Sequence, residues 1–239
     1  MKAKALLVIV AAMFAASPVM AQNKSAEKPK ETQPDKKDSH KDHDHKKDKE
    51  AKKDDKAAKA KVGEKAPDFT ATDSQGNTVK LSELTAQGKI VVLQWFNPDC
   101  PYVVKHYQKG QPNTFNDMAT KYAGKDVVIL AVSSNAPGTQ GSGVERVNKA
   151  RKDWNITYPV VMDEAGTIGK SFDAKNTPAM AVINKDGTLA YFGAIDDDRG
   201  PDKPGATNYV TKAVDELLAG KPVTTSETKA YGCSVKYKG

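Results

Sequence analysis

The chain has 239 residues and a formal net charge of +7, a length that allows one medium-sized domain or two small ones. The charge is concentrated near the N-terminus: residues 22–62 hold 14 lysines against ten aspartates and glutamates, and Lys2 and Lys4 add two positive charges. The remaining chain is nearly neutral, so its composition gives no reason to expect nucleic-acid binding.

Residues 1–21 have the pattern of a secretory signal peptide. Two lysines precede an apolar segment of 11 residues, LLVIVAAMFAA, and small residues lie around Val19 and Ala21, where a signal peptidase would cut. The apolar segment is shorter than the roughly 20 residues that span a bilayer. We therefore expect cleavage, a periplasmic or secreted location, and no stable membrane insertion afterwards.

Residues 22–62 consist mainly of Lys, Asp, Glu, His, Ala and Pro and contain no aromatic residue. Such a segment buries too little apolar surface to offset its ordering entropy, so we expect a disordered tether. His40, His43 and His45 form the cluster HKDHDH. Without a fixed geometry it would hold a metal ion only weakly, and we interpret it as a solvated run of charge.

Residues 63–220 are predicted to form the folded domain. A turn at residues 74–77 separates two short strand-like pieces, and Ser82 is a predicted helix cap. The runs IVVLQW, in residues 89–95, and DVVILAVSS, from Asp126, are typical of strands buried on both faces. Because residues 101–122 leave room for one or two helices between them, we expect a βαβ unit with parallel strands.

The second half of the domain continues as a helix, VERVNKARKDW, and a strand, TYPVVMD. Two alternating runs joined by Lys185, Asp186 and Gly187 then predict a β-hairpin. A last helix is expected over residues 208–219, since apolar residues recur at helical spacing and Gly220 and Pro222 follow. The element order predicts a three-layer α/β/α sandwich with a mixed central sheet.

Three segments together resemble the thioredoxin-like superfamily, and specifically its redoxin branch of peroxiredoxin-related (AhpC/TSA) and TlpA/ResA-like extracytoplasmic proteins. They are the opening GEKAPDFTATDSQGNTVKLSEL, the strand that leads to Cys100 in WFNPDCPYVVKHYQKG, and TPAMAVINKDG. The resemblance covers most of residues 62–220. It implies a thioredoxin fold, and it places Cys100 at the N-terminus of a helix, where a thiolate is favoured as nucleophile.

The surroundings of Cys100 depart from both branches of the family. Val103 stands where thioredoxins carry the second cysteine of C-x-x-C, so no local disulfide is possible. Leu93 and Asn97 replace the Pro and the Thr or Ser of the peroxiredoxin pattern, and Arg146 and Arg151 are the candidate arginines. Asp99 disfavours a thiolate through its like charge, but a cysteine between Asp and Pro is an unfavourable core residue, so we expect reactivity.

Three further residues near the nucleophile follow from the resemblance or from helix geometry. Pro178 matches the cis-proline of the family, which implies that the exposed backbone of Thr177 binds a substrate strand; the alternative is an ordinary trans-proline. His106, six residues after Cys100, would point away from it on an unbroken helix. We therefore expect a partly exposed histidine there and no Cys–His dyad.

Cys233 is the only other cysteine, and it lies in a C-terminal tail, residues 221–239, of small and polar residues. A secreted chain with two cysteines most simply pairs them, and this tail is long enough to fold back. The disulfide between Cys100 and Cys233 is expected to be either a structural staple or a catalytic couple. The position of Cys100 at the family's nucleophile site favours the couple.

The leading hypothesis is an extracytoplasmic thiol-disulfide oxidoreductase in which Cys100 attacks and Cys233 resolves the mixed disulfide. Its partners would be protein thiols and disulfides or small oxidants, with no cofactor and no metal. Three alternatives stay open: a peroxiredoxin-like antioxidant peroxidase, a copper-binding chaperone that uses the cysteines and His106, and a non-catalytic domain stapled by one disulfide.

Overall fold

A computed structural model of the chain describes residues 59–112 and 114–239. The predicted signal peptide and most of the predicted tether, with His40, His43 and His45, lie outside the described residues. The Ala60 backbone amide donates a hydrogen bond to the Ser171 carbonyl at 2.8 Å. Contacts with the folded domain therefore begin a few residues before the predicted start at residue 63.

The described residues form nine strands and six helices. The strands are β1 (Thr70–Thr72), β2 (Thr78–Lys80), β3 (Ile90–Trp95), β4 (Val127–Ser133), β5 (Val160–Met162), β6 (Asn176–Thr177), β7 (Met180–Ile183), β8 (Leu189–Gly193) and β9 (Cys233–Ser234). The helices are α1 (Leu81–Ala86), α2 (Pro101–Val104), α3 (Phe115–Lys121), α4 (Val144–Asp153), α5 (Thr167–Ser171) and α6 (Tyr209–Leu218), with a 3-10 turn at Lys105–Tyr107. Within the described part of the chain, no helix is both long enough and apolar enough to cross a membrane.

Five strands form the central sheet in the order β5-β4-β3-β7-β8. Strand β3 runs parallel to β4, and β4 runs parallel to β5, which confirms the predicted βαβ unit. Strands β7 and β8 complete the sheet in antiparallel pairing, with the predicted turn between them. The sheet is mixed, and every residue of its central strand β3 is buried, as expected for a strand covered on both faces.

Alternate residues of β3 belong to two separate hydrophobic clusters. Ile90 and Val92 pack in the cluster that contains the buried residues of α2, α3, α4 and α6. Val91 and Leu93 pack in the cluster that contains those of α1 and α5. Because successive side chains of a strand point to opposite faces, the two clusters are the two sides of one sheet. The predicted three-layer sandwich is confirmed.

The start of α1 differs from the prediction of a Ser82 cap. The helix begins at Leu81, and its N-cap residue, Lys80, makes no side-chain capping bond. Instead the Asp68 carboxylate accepts a hydrogen bond from the Ser82 backbone amide at 2.9 Å. A free amide of the first turn is thus satisfied from a residue 14 positions earlier, which the local sequence does not reveal.

The C-terminal segment after α6 crosses the domain instead of leaving it. Strand β9 pairs antiparallel with β6, with Cys233 opposite Thr177 and Ser234 opposite Asn176. The Val235 amide then donates to the Lys175 carbonyl at 3.0 Å. The segment that the sequence predicts to be a tail is therefore part of the fold at the end that carries Cys100.

Candidate functional site

A compact turn after β3 places Cys100 at the start of α2. The Asn97 side-chain oxygen accepts a hydrogen bond from the Asp99 amide at 2.9 Å, and the Cys100 amide donates to the Asn97 carbonyl at 3.1 Å. Cys100 occupies the N-cap position, and Pro101 follows as the first helical residue, where its missing N–H is not needed. The local sequence NPDCP thus sets the predicted strand-to-helix position.

Cys100 is buried, which corrects the expectation that its neighbours Asp99 and Pro101 would keep it out of the core. Only 1% of its surface is exposed. Its Sγ donates a hydrogen bond to the Thr177 carbonyl oxygen at 3.1 Å. An external disulfide therefore has no direct approach to this sulfur while the surrounding segments stay in place.

Strand β9 is the element that brings the second sulfur to this place. Cys233 is paired with Thr177 across the short β6–β9 sheet, and the Thr177 carbonyl oxygen accepts from Cys100 Sγ, so the two cysteines are neighbours. Thr177 is itself buried and paired, so the expectation of a free backbone at this position is wrong: the chain's own C-terminal strand occupies it.

The close approach of β9 to β6 depends on Gly232. A Cβ atom at this position would lie 2.1 Å from the Thr177 carbonyl oxygen, and the residue has a φ of +108°. Both the contact and the backbone conformation favour glycine. The residue before Cys233 thus lets β9 approach the backbone of Thr177 closely.

Both cysteines are free thiols in this structure. Burial, assisted by the neighbouring Cys100 side chain, raises the pKa of Cys233 to about 12. At neutral pH Cys233 therefore remains protonated while it faces Cys100. Because a thiolate is the attacking species, this arrangement leaves the first attack to Cys100.

The Thr177–Pro178 peptide bond is cis, as the resemblance implies. It lies directly beside the contact between the Thr177 carbonyl and Cys100 Sγ. Thr177 and Pro178 therefore border the two thiols, although the strand β9 now covers Thr177.

Arg146 approaches the cysteine turn, but it binds Asp99 and not the thiol. Its Nε lies 2.8 Å from an Asp99 carboxylate oxygen, and a second guanidinium nitrogen donates to the Pro98 carbonyl at 3.0 Å. The pair offsets the negative charge beside Cys100. Arg151, the other candidate, lines a separate cavity with Ser74 and Asn148.

The positions that differ from the family motifs are occupied by packing residues. Leu93 and Val103 are completely buried in the two hydrophobic clusters. The Asn97 amide donates to the Asn135 side chain at 3.2 Å and to the Gln140 carbonyl at 3.0 Å. None of these three side chains offers a hydroxyl or a thiol to a molecule bound at Cys100.

His106 is completely buried, so the expectation of a partly exposed histidine is wrong. The helix α2 ends at Val104, and the 3-10 turn that follows directs His106 into the interior. Its Nε2 lies 3.4 Å from the Tyr231 hydroxyl and 3.9 Å from an Asp196 carboxylate oxygen. Burial, assisted by the charge of Lys105, lowers the pKa of His106 to about 3, so it is neutral at physiological pH.

Three residues that no sequence motif marks join His106 in this cluster. They are Lys105, Asp196 and Tyr231, and all are buried. A sequence signal exists only for Tyr231, which precedes Cys233 by two positions. In the part of the chain that the structure describes, no three or more His, Cys, Asp or Glu side chains come together as a metal site would require.

The chain is similar to known proteins in sequence and in fold. Residues 62–192 match the AhpC/TSA family. Two relatives bear the name thiol-disulfide oxidoreductase ResA: one from Bacillus thuringiensis is 29% identical over 131 residues, and one from Bacillus anthracis is 30% identical over the same length. In both cases the match covers 55% of this chain and 68% of the relative.

The same architecture occurs in solved structures. An uncharacterised conserved protein from Geobacillus kaustophilus is 27% identical and superposes with a TM-score of 0.66, over 74% of this chain and 93% of that one. A hypothetical protein from Sinorhizobium meliloti, also 27% identical, gives 0.64 over 74% and 95%. The match to the family model covers more than half of the chain. This chain therefore belongs to the AhpC/TSA family, in the redoxin branch of the thioredoxin-like superfamily.

Proposed function

We propose that the protein is an extracytoplasmic thiol-disulfide oxidoreductase in which Cys100 is the nucleophile and Cys233 is the resolving cysteine. One observation carries the proposal: strand β9 brings Cys233 opposite Thr177, whose carbonyl oxygen accepts from Cys100 Sγ, although 133 positions separate the two cysteines in the chain. The relatives named thiol-disulfide oxidoreductase support the same reaction class. The signal-like residues 1–21 support the location.

The reaction follows from the two sulfurs. The Cys100 thiolate attacks one sulfur of a substrate disulfide, so that a new S–S bond forms and the other substrate sulfur leaves as a thiolate. Cys233 then transfers its proton to a departing thiolate and attacks Cys100 Sγ, which releases the second substrate sulfur. The substrate gains two electrons and two protons, one from Cys233 and one from the solvent that received the proton of Cys100, and the protein is left with a Cys100–Cys233 disulfide. The reverse sequence oxidises a substrate dithiol.

The burial of Cys100 adds a requirement to the first step. Since β9 covers the sulfur and pairs with Thr177, the C-terminal segment must move aside before a protein disulfide reaches Cys100. We assign Thr177 and Pro178 to the surface that then contacts the substrate. The return of β9 brings Cys233 back for the second step.

The experiment uses the chain without residues 1–21 and glutathione disulfide as substrate, followed by mass spectrometry. The wild type should end as an internal disulfide. The Cys233→Ser variant should stop with one glutathione attached to Cys100. The Cys100→Ser variant, which keeps only Cys233, whose pKa burial raises, should form an adduct far more slowly. Equal adduct formation by both single variants would overturn the assignment of Cys100 as the nucleophile.

The reduction potential separates the couple from a structural staple. A staple should have a potential below about −300 mV, whereas a working couple exchanges with glutathione at a higher potential. A wild-type disulfide that resists glutathione throughout would exclude the catalytic role and favour the stapled, non-catalytic alternative.

A further inference from the structure

A buried cluster of polar side chains joins the two segments that carry the cysteines. Lys105 and His106 follow α2, which begins next to Cys100, while Tyr231 precedes Cys233 by two positions. Asp196 comes from the loop after β8. The exposed fractions of Lys105, His106, Asp196 and Tyr231 are 0%, 0%, 2% and 4%, so solvent does not screen their interactions.

The contacts within the cluster are directional. The Tyr231 hydroxyl donates a hydrogen bond to the Asp196 carboxylate, which also accepts from the Gly205 amide at 2.6 Å. The Lys105 ammonium lies 4.7 Å from the centre of the Tyr231 ring and 3.9 Å from Asp196 Oδ1. Tyr231 thus contacts a carboxylate through its hydroxyl and a cation through its ring face.

Lys105 is also held independently of Tyr231. Its ammonium donates to the Asp198 carbonyl at 2.6 Å and to the Gly200 carbonyl at 2.8 Å. The cation is therefore a fixed point on the segment that follows Cys100. A buried group with several partners has one favourable arrangement, whereas apolar packing tolerates several.

Strand β9 is very short. It contains two residues and pairs with only two residues of β6. The Tyr231 hydroxyl is held by Asp196 only two positions before Cys233 in the chain. The contact of its ring with Lys105 fixes Tyr231 relative to the segment that follows Cys100.

Other contacts hold the backbone around Cys233: the Asn176 side chain donates to the Gly232 carbonyl at 3.2 Å, and the Val235 amide donates to the Lys175 carbonyl at 3.0 Å. Tyr231 adds a buried side-chain anchor on the N-terminal side of Cys233.

We propose that Tyr231 is a positioning residue for the resolving step: through Asp196 and Lys105 it returns β9 to the place where Cys233 Sγ reaches Cys100 Sγ. The inference rests on the proposed function. An intramolecular attack depends on how much of the time the two reacting atoms are close together. Loss of the Tyr231 anchor should therefore slow the second step and leave the chemistry of the first step intact.

The test measures the two steps separately with Tyr231→Phe, which keeps the aromatic ring and removes the hydroxyl. Glutathione disulfide is added to the reduced chain, the reaction is quenched with acid, and the glutathione adduct and the internal disulfide are quantified over time. We expect Tyr231→Phe to slow conversion of the adduct to the internal disulfide by about tenfold, as for a lost hydrogen bond to a charged group. Adduct formation, measured with Cys233→Ser present, should not become slower.

Tyr122→Phe is the matched control. Tyr122 is also buried, and its hydroxyl also donates to a carboxylate, that of Asp215, at 2.9 Å. That contact joins the residue after α3 to α6 and does not involve the C-terminal segment. This variant should resolve the adduct at the wild-type rate even if its melting temperature falls as much as that of Tyr231→Phe.

A second variant, Asp196→Asn, keeps an acceptor for Tyr231 but removes the negative charge that faces Lys105. It should also slow resolution relative to Tyr122→Phe. Wild-type resolution rates in both Tyr231→Phe and Asp196→Asn would overturn the positioning role while the proposed function stands. If the wild type itself never converts the adduct to an internal disulfide, the proposed function fails instead.

Discussion

Cys100 Sγ donates a hydrogen bond to the carbonyl oxygen of Thr177 at 3.1 Å, and Thr177 is also the residue opposite Cys233 in the β6–β9 pair. One backbone position therefore contacts the first cysteine and aligns the second. This geometry makes access to Cys100 and the placement of Cys233 depend on the same short strand, and it leads to the first prediction.

Gly232→Ala should displace β9. The new Cβ would lie 2.1 Å from the Thr177 carbonyl oxygen, and steric strain of this kind costs about 1–3 kcal/mol. We expect a lower melting temperature and faster alkylation of Cys100 by iodoacetamide, because the covering strand spends more time away from the thiol. Peptide mass spectrometry of the labelled chain measures both cysteines.

Gly220→Ala provides the control for the backbone conformation alone. Gly220 also has a positive φ, +68°, but no atom lies within 4 Å of a Cβ built there. The Gly220→Ala variant should lose roughly 1 kcal/mol of unfolding free energy through backbone strain, and Cys100 should not be labelled faster. Equal labelling rates in the two variants would show that Gly232 does not hold β9 in place.

The second prediction concerns Arg146 and Asp99. Both side chains are about one-third exposed, so their pair should contribute less than about 1 kcal/mol to stability. Its larger effect is electrostatic: Arg146→Ala leaves the Asp99 charge uncompensated beside Cys100, which disfavours the thiolate. In the Cys233→Ser background we expect slower alkylation of Cys100 at neutral pH.

The double variant Asp99→Asn with Arg146→Ala separates charge from structure. Without the Asp99 carboxylate, the loss of Arg146 should change the alkylation rate of Cys100 only slightly. The rate of the double variant should therefore return toward that of the parent. If Arg146→Ala slows the reaction equally with and without Asp99, the arginine acts by another route than compensation of this charge.

The main sheet and the longer helices could be predicted because each follows from a local pattern. Strands β3 and β4 are continuous apolar runs, and the turn residues Lys185, Asp186 and Gly187 mark the hairpin of β7 and β8. Helix α6 has the expected apolar spacing, and its Asn208 cap accepts a bond from the Thr211 amide at 2.9 Å. Periodicity and turn chemistry are properties of neighbouring residues, so the sequence alone shows them.

The pieces that complete the site could not be predicted in this way. Strand β9 has only two residues and forms because β6 is available opposite it. The burial of His106 depends on Asp196 and Tyr231, which are 90 and 125 positions away. Contacts at such separations leave no period in the local sequence, and the sequence therefore predicts the pair of cysteines without showing what encloses it.

The third prediction concerns hydrogen peroxide. Leu93 and Asn97 present no hydroxyl near Cys100, and the Arg146 guanidinium is bound to Asp99. With no group in place to orient a peroxide, Cys100 should react with it at the rate of an ordinary protein thiol. Competition with a dedicated peroxidase for limiting hydrogen peroxide measures this rate. Rapid, repeated peroxide turnover with a thiol donor would instead favour the peroxidase alternative.

The last prediction uses the pH dependence of stability at His106. Its folded pKa of about 3 lies below its ordinary value of 6.5. Below pH 6.5 the unfolded chain therefore binds a proton that the folded chain does not, so the free energy of unfolding falls as the pH falls. His106 alone makes the free energy of unfolding fall with a slope that approaches about 1.4 kcal/mol per pH unit.

His106→Leu should remove this contribution. The comparison belongs between pH 6.5 and about pH 4.5, above the range in which most carboxylates titrate. Asp196, whose pKa burial raises, gains stability on acidification and opposes the effect of His106, but it is present in both proteins. Urea titrations at several pH values should give a shallower loss of unfolding free energy on acidification in the variant. Parallel curves for the two proteins would mean that His106 can bind a proton without leaving the folded state.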